Sequence, residues 1–347
     1  MITISVCMIV KNEEKTLKRC LESLVSFADE IIIVDTGSVD KTREIASLYT
    51  EKIYDFQWVD DFSKARNYSF SKATKEYIYV ADADELIDEE NQKKIQQLKQ
   101  VLLPEIDVVQ MMYCNQMEHN TTYNFDKEYR PKLYKRLREF QWVDCIHESV
   151  RLDPIIYDSD IEIIHKPEGN HGSRDFSLFQ KMIARGEKVS KKLHNMYARE
   201  LYIAGEEQDF SQAKEFFIGT VNDNTRTIEE IKEASLILGR IYHNENDIVS
   251  FFQYIIKDIV TEASSEGCYE LGTFFKEQEK YEEACNWFIN AIDASNAVLS
   301  IKYQCEFPRR QLLECYELLE QRAKKENKPE LAKQYIEARK NLQNEIR

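Results

Sequence analysis

The chain has 347 residues, 43% hydrophobic and 31% charged, with a formal net charge of −15, enough for two domains of ordinary globular composition. Its acidity argues against nucleic-acid binding, which calls for a basic surface, and no apolar run is long enough for a transmembrane segment. Eight cysteines are scattered without a CxxC pair, as expected of small core residues in a reducing, cytoplasmic setting.

Residues 2–10 (ITISVCMIV) form a continuous apolar run, as a strand buried on both faces requires. With no basic stretch ahead of it, the run reads as a first strand and not as a signal peptide. A helix is predicted next, with Leu17, Leu21 and Leu24 on one stripe. A second β-branched run, 30–34 (EIIIV), leads to Asp35-Thr36-Gly37-Ser38, and Asp40 is placed to cap the following helix. Residues 52–56 make a weaker third strand, 62–73 a helix and 77–81 (YIYVA) a fourth strand. Strands alternating with helices imply right-handed crossovers and a mostly parallel sheet. Ligands of such sheets sit beyond the carboxyl ends of the strands, and three of those ends are polar: Asn12-Glu13, Asp35 and Asp82-Ala83-Asp84.

Beyond residue 104 the pattern changes. Segments 108–113, 133–136 and 161–165 read as strands between polar, aromatic-rich loops, completing a mixed sheet. From Asp175 onward nearly everything reads as helix, which divides the chain into domains at 1–172 and 173–347. The helical part repeats itself weakly. Tyr197–Tyr202 followed by 209–213 (DFSQA) parallels 269–274 (YELGTF) followed by 280–284 (KYEEA), with a degenerate copy at 238–242 (LGRIY). This pattern, at a spacing near ~34 residues, resembles tetratricopeptide repeats, and a plain helical bundle is the alternative.

Residues 77–85 (YIYVADADE) carry the strongest chemical signal. A buried strand delivers Asp82 and Asp84 at its end, where a turn lets both reach one ligand. Such carboxylates suit Mg²⁺ or Mn²⁺, which then hold a diphosphate. In 58–67 (WVDDFSKARN), Arg66 and Asn67 are candidates for the phosphates or ribose of a donor, although Arg66 paired with an acidic neighbour is an equal alternative. Trp58 and Trp142 flank the two motifs. Sugar stacking is open to them, but core packing is the better expectation. His119, His171, His194 and His243 have no spacing that suggests a metal site.

The ordered series VKNEE, DEIIIVDTGSVDKT, DDFSKARN, DADE and IHE resembles glycosyltransferase family 2, with its GT-A fold, over residues 2 to about 170. Within it, the DDFSxARN segment and helical tail are similar to a branch that glycosylates cysteine or serine in bacteriocin precursor peptides, with relatives acting on lipopolysaccharide core sugars. The resemblance implies a GT-A nucleotide-sugar-binding α/β domain followed by an all-α tetratricopeptide-like domain. It implies that Asn12 and Glu13 line the base, Asp35 holds uracil or ribose, and Asp82 approaches ribose or metal. It further implies that Asp84 and His165 bind the metal and that Glu148 is the catalytic base, although Lys166-Pro167 departs from what usually follows the late histidine.

The expected reaction is inverting transfer from UDP-glucose or UDP-N-acetylglucosamine, with Mn²⁺ or Mg²⁺, to a peptide or protein Cys or Ser side chain. A lipopolysaccharide or other surface-glycan acceptor is the alternative. A cation at Asp84 stabilises the leaving diphosphate, and a carboxylate on the opposite face takes the acceptor proton. One base and no second carboxylate for a covalent intermediate imply inversion. Repeat tails often mediate dimers, which leaves a homodimer open.

Overall fold

The computed structural model describes residues 1–114, 127–150, 153–167, 172–293 and 295–345; His119 and His171 lie outside them. It divides into two compact units, Met1–Glu187 and Lys188–Arg347.

The first unit is built on a sheet of eight strands. Its elements are β1 (Ile4–Val10), α1 (Leu17–Leu24), β2 (Glu30–Asp35), α2 (Thr42–Ser47), β3 (Ile53–Asp55), α3 (Phe62–Lys72), β4 (Tyr77–Ala81), β5 (Glu85–Leu86), α4 (Glu89–Val101), β6 (Val108–Cys114), β7 (Glu128–Lys135), β8 (Trp142–Val143), β9 (Ser149–Val150), β10 (Ile156–His165) and α5 (Gly172–Ala184). The strand order is β3-β2-β1-β4-β7-β6-β10-β5, with β8 and β9 forming a separate two-stranded ladder.

Strands β3, β2, β1 and β4 are mutually parallel, and β7 runs antiparallel between β4 and β6. The chain leaves β1 toward β2 and β3 and later returns to β4 on the other side, so the order reverses at β1. Crevices at such switch points, outside the carboxyl ends, are where open α/β sheets place ligands.

The apolar runs form central strands because both faces are covered. In β1, β2 and β4 nearly every residue is buried, and Ile4, Val6, Met8, Leu17, Leu21, Ile33, Tyr79 and Met111 belong to one core cluster. Helix α2 starts later than an Asp40 cap implies. Asp40 instead accepts from the Thr42 amide and, across the crevice, from the Glu14 amide. The first unit continues past the expected division at residue 172, because α5 belongs to it: Met182 Sδ meets Cys145 Sγ at 3.4 Å, and Lys181 pairs with Asp60 at 2.7 Å.

The second unit is helical throughout its described elements: α6 (Lys191–Ala204), α7 (Glu207–Asn222), α8 (Ile228–Asn244), α9 (Ile248–Glu262), α10 (Ser265–Glu277), α11 (Tyr281–Asp293), α12 (Phe307–Lys325) and α13 (Pro329–Glu345), with a short 3₁₀ turn before α12. Consecutive helices from α7 onward pack on one another, with α6 against α8. Four of the starts are capped by side chains, at Ser190, Thr227, Asp247 and Ser264.

Two glycines allow close approaches of apolar side chains between helices. A Cβ on Gly239 would lie 2.4 Å from Ile255 Cδ1, and one on Gly272 would lie 2.5 Å from Phe288 Cε1. The two pairs have equal separation along the chain, so the weak repeat in the sequence corresponds to a repeated packing contact. Seven of the eight cysteines are buried, and Cys305 is exposed. No helix among the described residues is long and apolar enough to cross a membrane.

Candidate active site

The carboxyl ends of β1, β2 and β4 bring the sequence candidates to one edge of the sheet. After β1, Asn12 takes a left-handed conformation (φ 57°), one that asparagine tolerates better than most residues. Its Oδ1 accepts from Val39 N at 2.9 Å, and its own amide donates to Ser38 Oγ at 3.0 Å. Glu13 N donates to Thr42 Oγ1 at 2.6 Å, and its carboxylate accepts from Thr16. These bonds lace the loop after β1 to the loop after β2. Asp35, at the end of β2, is buried and held by Ser38 and by Arg43 Nη1 at 3.1 Å, with Arg43 also bridging to Asp55.

The acidic turn after β4 is closed in both directions. Glu85 N donates to Asp82 O at 3.1 Å, and Asp82 N donates to Glu85 Oε2 at 3.2 Å. Asp84 Oδ2 lies 3.1 Å from His165 Nε2, at the end of β10, where the Tyr113 ring lies 5.2 Å from the imidazole. Residues 81 apart in sequence thus meet because β5 pairs with the end of β10, His165 opposite Glu85.

Arg66 links the remaining candidates. Asp61 caps α3 by accepting from Lys64 N, which orients the first turns of the helix. The Arg66 side chain, 7% exposed, passes over the Trp142 ring at 5.3 Å. Its Nε and Nη2 donate to Glu148 Oε1 at 3.2 and 2.8 Å, and Nη2 reaches Asp82 Oδ1 at 3.3 Å. The Asp82 side chain is still 46% exposed. Desolvation would raise its pKa, but the Arg66 and Lys132 cations prevail and hold it at about 2.

Of the two readings of Arg66, the acidic partner is therefore the one seen: it ties Asp82 to Glu148. Asn67 is likewise engaged, its amide clasping the backbone of Trp142 through bonds of 2.9 and 2.8 Å, so in this structure it braces the loop that carries Glu148. Trp142 packs edge-on against Phe70 and Tyr134, the expected core role, while Trp58 is half-buried and donates to Asp60.

A metal is tested by its ligand chemistry. Among the described residues no group of three or more His, Cys, Asp or Glu is arranged to hold an ion alone. Mg²⁺ usually keeps several waters and is bound through one or two carboxylates plus substrate phosphates, and imidazole and carboxylate suit first-row ions such as Mn²⁺. Asp84 with His165 therefore fits an ion that shares its coordination with a diphosphate. Two further residues lie under the turn to which the sequence motifs assigned no role, Glu85 and Lys132. Glu85 is the last residue of DADE, and Lys132 stands among other charged residues in β7 (EYRPKLYK), where nothing sets it apart.

Residues 5–152 match the model of glycosyl transferase family 2. The SPbeta prophage-derived glycosyltransferase SunS of Bacillus subtilis is 30% identical over 228 residues, 60% of this chain and 51% of SunS. A TPR repeat-containing protein of Synechococcus elongatus is 47% identical over 85 residues, 24% of this chain and 21% of that protein. The chain thus spans about half of one of these relatives and about a fifth of the other. Among solved structures, glucosyl-3-phosphoglycerate synthase from Mycobacterium tuberculosis, in complex with Mn²⁺ and uridine-diphosphate-glucose, covers 55% of this chain and 81% of its own at 15% identity and a TM-score of 0.38. A likeness that slight says nothing of this chain's chemistry. The motif order, the family match and the SunS similarity converge on one assignment: residues 5–152 are a glycosyl transferase family 2 domain.

Proposed function

We propose that the first unit transfers a sugar, with inversion, from UDP-glucose or UDP-N-acetylglucosamine to a Cys or Ser side chain of a peptide or protein. The observation that carries this reading is the meeting of Asp84 with His165 beside a turn whose other carboxylate, Asp82, shares Arg66 with Glu148. Asn12, Glu13 and Asp35 lie at the neighbouring strand ends, as a nucleoside pocket requires. Asp84 and His165 would hold Mn²⁺ or Mg²⁺, which when bound supplies Lewis-acid stabilisation of the charge on a departing diphosphate.

Glu148 is the proton acceptor. Arg66 occupies its Oε1, and Oε2 has no partner among the described residues, so one oxygen is anchored while the other is available to an acceptor hydroxyl or thiol. A row of packed helical hairpins suits an extended peptide, which supports a tetratricopeptide-like reading of the second unit and a peptide acceptor over a surface glycan. The site's reliance on an intracellular nucleotide-sugar agrees with a cytoplasmic enzyme.

Intact-mass analysis of Cys- and Ser-containing peptides, incubated with the protein, Mn²⁺ and a panel of UDP-sugars, tests the proposal. A hexose or N-acetylhexosamine increment on a side chain is the expected result. Transfer to a lipopolysaccharide core acceptor with none to any peptide would replace the acceptor assignment, and no consumption of any UDP-sugar would end the reading.

A further inference from the structure

We infer that Lys132 and Glu85 are the positioning pair of the acidic turn: Lys132 fixes the Glu85 carboxylate, and Glu85 fixes the backbone that carries Asp82, Asp84 and His165. The inference rests on reading that turn as the donor and cation site.

Lys132 rises from β7 near the rings of Tyr79 and Tyr113, 5.6 and 6.0 Å from their centroids. Its Nζ donates to both Glu85 oxygens, at 2.7 and 2.8 Å. Both residues are almost wholly enclosed, at 4% and 2% exposure. Glu85 then touches every part of the candidate site's metal end. Its Oε2 accepts the Asp82 amide, its own amide donates to Asp82 O, and its backbone pairs with His165. One residue further, Lys166 N donates to Asp84 O at 2.9 Å.

Packing does not account for this arrangement. Enclosing two ions costs several kcal/mol each before their attraction is counted, and apolar side chains of like volume often do as well or better. An apolar pair, however, offers no acceptor for the Asp82 amide. It also places no positive charge beneath a turn that holds the carboxylates of Asp82, Asp84 and Glu85 within four consecutive residues. The Lys132 ammonium offsets that crowding while no cation is bound, and so keeps Asp84 turned toward His165 in advance of the donor.

The test replaces the pair together, Lys132→Met with Glu85→Leu, so that no buried charge is left alone, and compares it with Lys132→Arg, which keeps the cation. Mn²⁺ affinity is read from the free-ion electron paramagnetic resonance signal in the presence of UDP, and folding from cooperative thermal unfolding. The double variant is expected to fold and to bind Mn²⁺ about tenfold or more weakly, as loss of outer-sphere support does at metal sites, while Lys132→Arg stays near wild type. Should the double variant not fold, Lys132→Met with Glu85→Gln, which keeps an acceptor for the Asp82 amide, is measured in its place and is expected to weaken binding in the same direction. A folded double variant with unchanged Mn²⁺ affinity reduces the pair to packing and overturns the inference. Wild-type protein that binds no Mn²⁺ with UDP is a different result, because it removes the reading of the turn itself.

Discussion

Both hydrogen bonds from Arg66 to Glu148 fall on the same oxygen, Oε1, and the guanidinium that makes them also reaches Asp82. A side chain from α3 thereby couples the end of β4 to the loop before β9. A base held at one oxygen has a fixed orientation and a fixed free lone pair. Glu148→Gln keeps the shape and the Arg66 contact but not the basicity. It is expected to lower kcat by roughly 10²–10⁴-fold with the donor KM nearly unchanged, read by UDP release at saturating acceptor. A donor KM that rises in step with the loss of kcat would make Glu148 a structural residue.

Arg66→Lys is not a conservative change here. An ammonium cannot span Asp82 and Glu148 with the planar fork that guanidinium offers. We expect turnover to fall at least about tenfold. Arg66→Met should in addition destabilise the first unit by about 3 kcal/mol, since it strands the Glu148 carboxylate. Urea unfolding of wild type and both variants gives the comparison.

Asp84→Ala removes a proposed cation ligand, and His165→Ala removes its partner. Each should weaken Mn²⁺ binding in the presence of UDP by about 10-fold or more while leaving the unfolding transition of the second unit unmoved. Near-wild-type turnover and Mn²⁺ dependence in Asp84→Ala would show that the ion, if needed, binds elsewhere.

A pH effect on stability comes from Glu30, far from the site. Burial would raise its carboxyl, but bonds from Lys52, Ser5 and both the amide and hydroxyl of Thr74 prevail and hold it at about 2, against an ordinary 4.5. Because the folded value is the lower one, this stabilisation is complete above pH 4.5 and is lost as pH falls toward 2. Glu30→Gln should cost about 3 kcal/mol at pH 7 and almost nothing near pH 2. Denaturant melts at the two pH values decide it.

In the second unit, Gly272→Ala sets a methyl group against the Phe288 ring. Overpacking of this kind costs about 1–3 kcal/mol, which outweighs the gain of roughly 1 kcal/mol in helix propensity. Adding Phe288→Leu should recover most of the loss, and a thermal-melt double-mutant cycle measures the coupling.

The central strands were legible because burial on both faces leaves an unbroken apolar run, as in YIYVA. Strand β10 was half legible. Ile156, Tyr157 and Asp158 are all exposed, so no buried alternation marked its first residues, and the strand was placed only from Ile161. The acidic turn, Glu148 and His165 could be read as residues, but the Asp84–His165 contact could not, since it depends on β5 finding the end of β10. Lys132 was illegible for a related reason: a lysine in a strand usually faces water, and only the fold reveals the carboxylate buried above it. Arg66 was visible, yet its choice between a donor phosphate and a neighbouring acid rested on Glu148 arriving from a loop 82 positions away.

The burial of the cysteines has a consequence for an enzyme proposed to decorate thiols. Desolvation pushes Cys7 and Cys20 well up, and Cys145 and Cys268 to about 11, so these sulfurs stay protonated and shielded at neutral pH. At these positions such a catalyst is protected from becoming its own substrate, whereas Cys305 is exposed. Native-state maleimide treatment should mark Cys305 and spare the other seven, giving the folded protein a single chemical handle on its helical half.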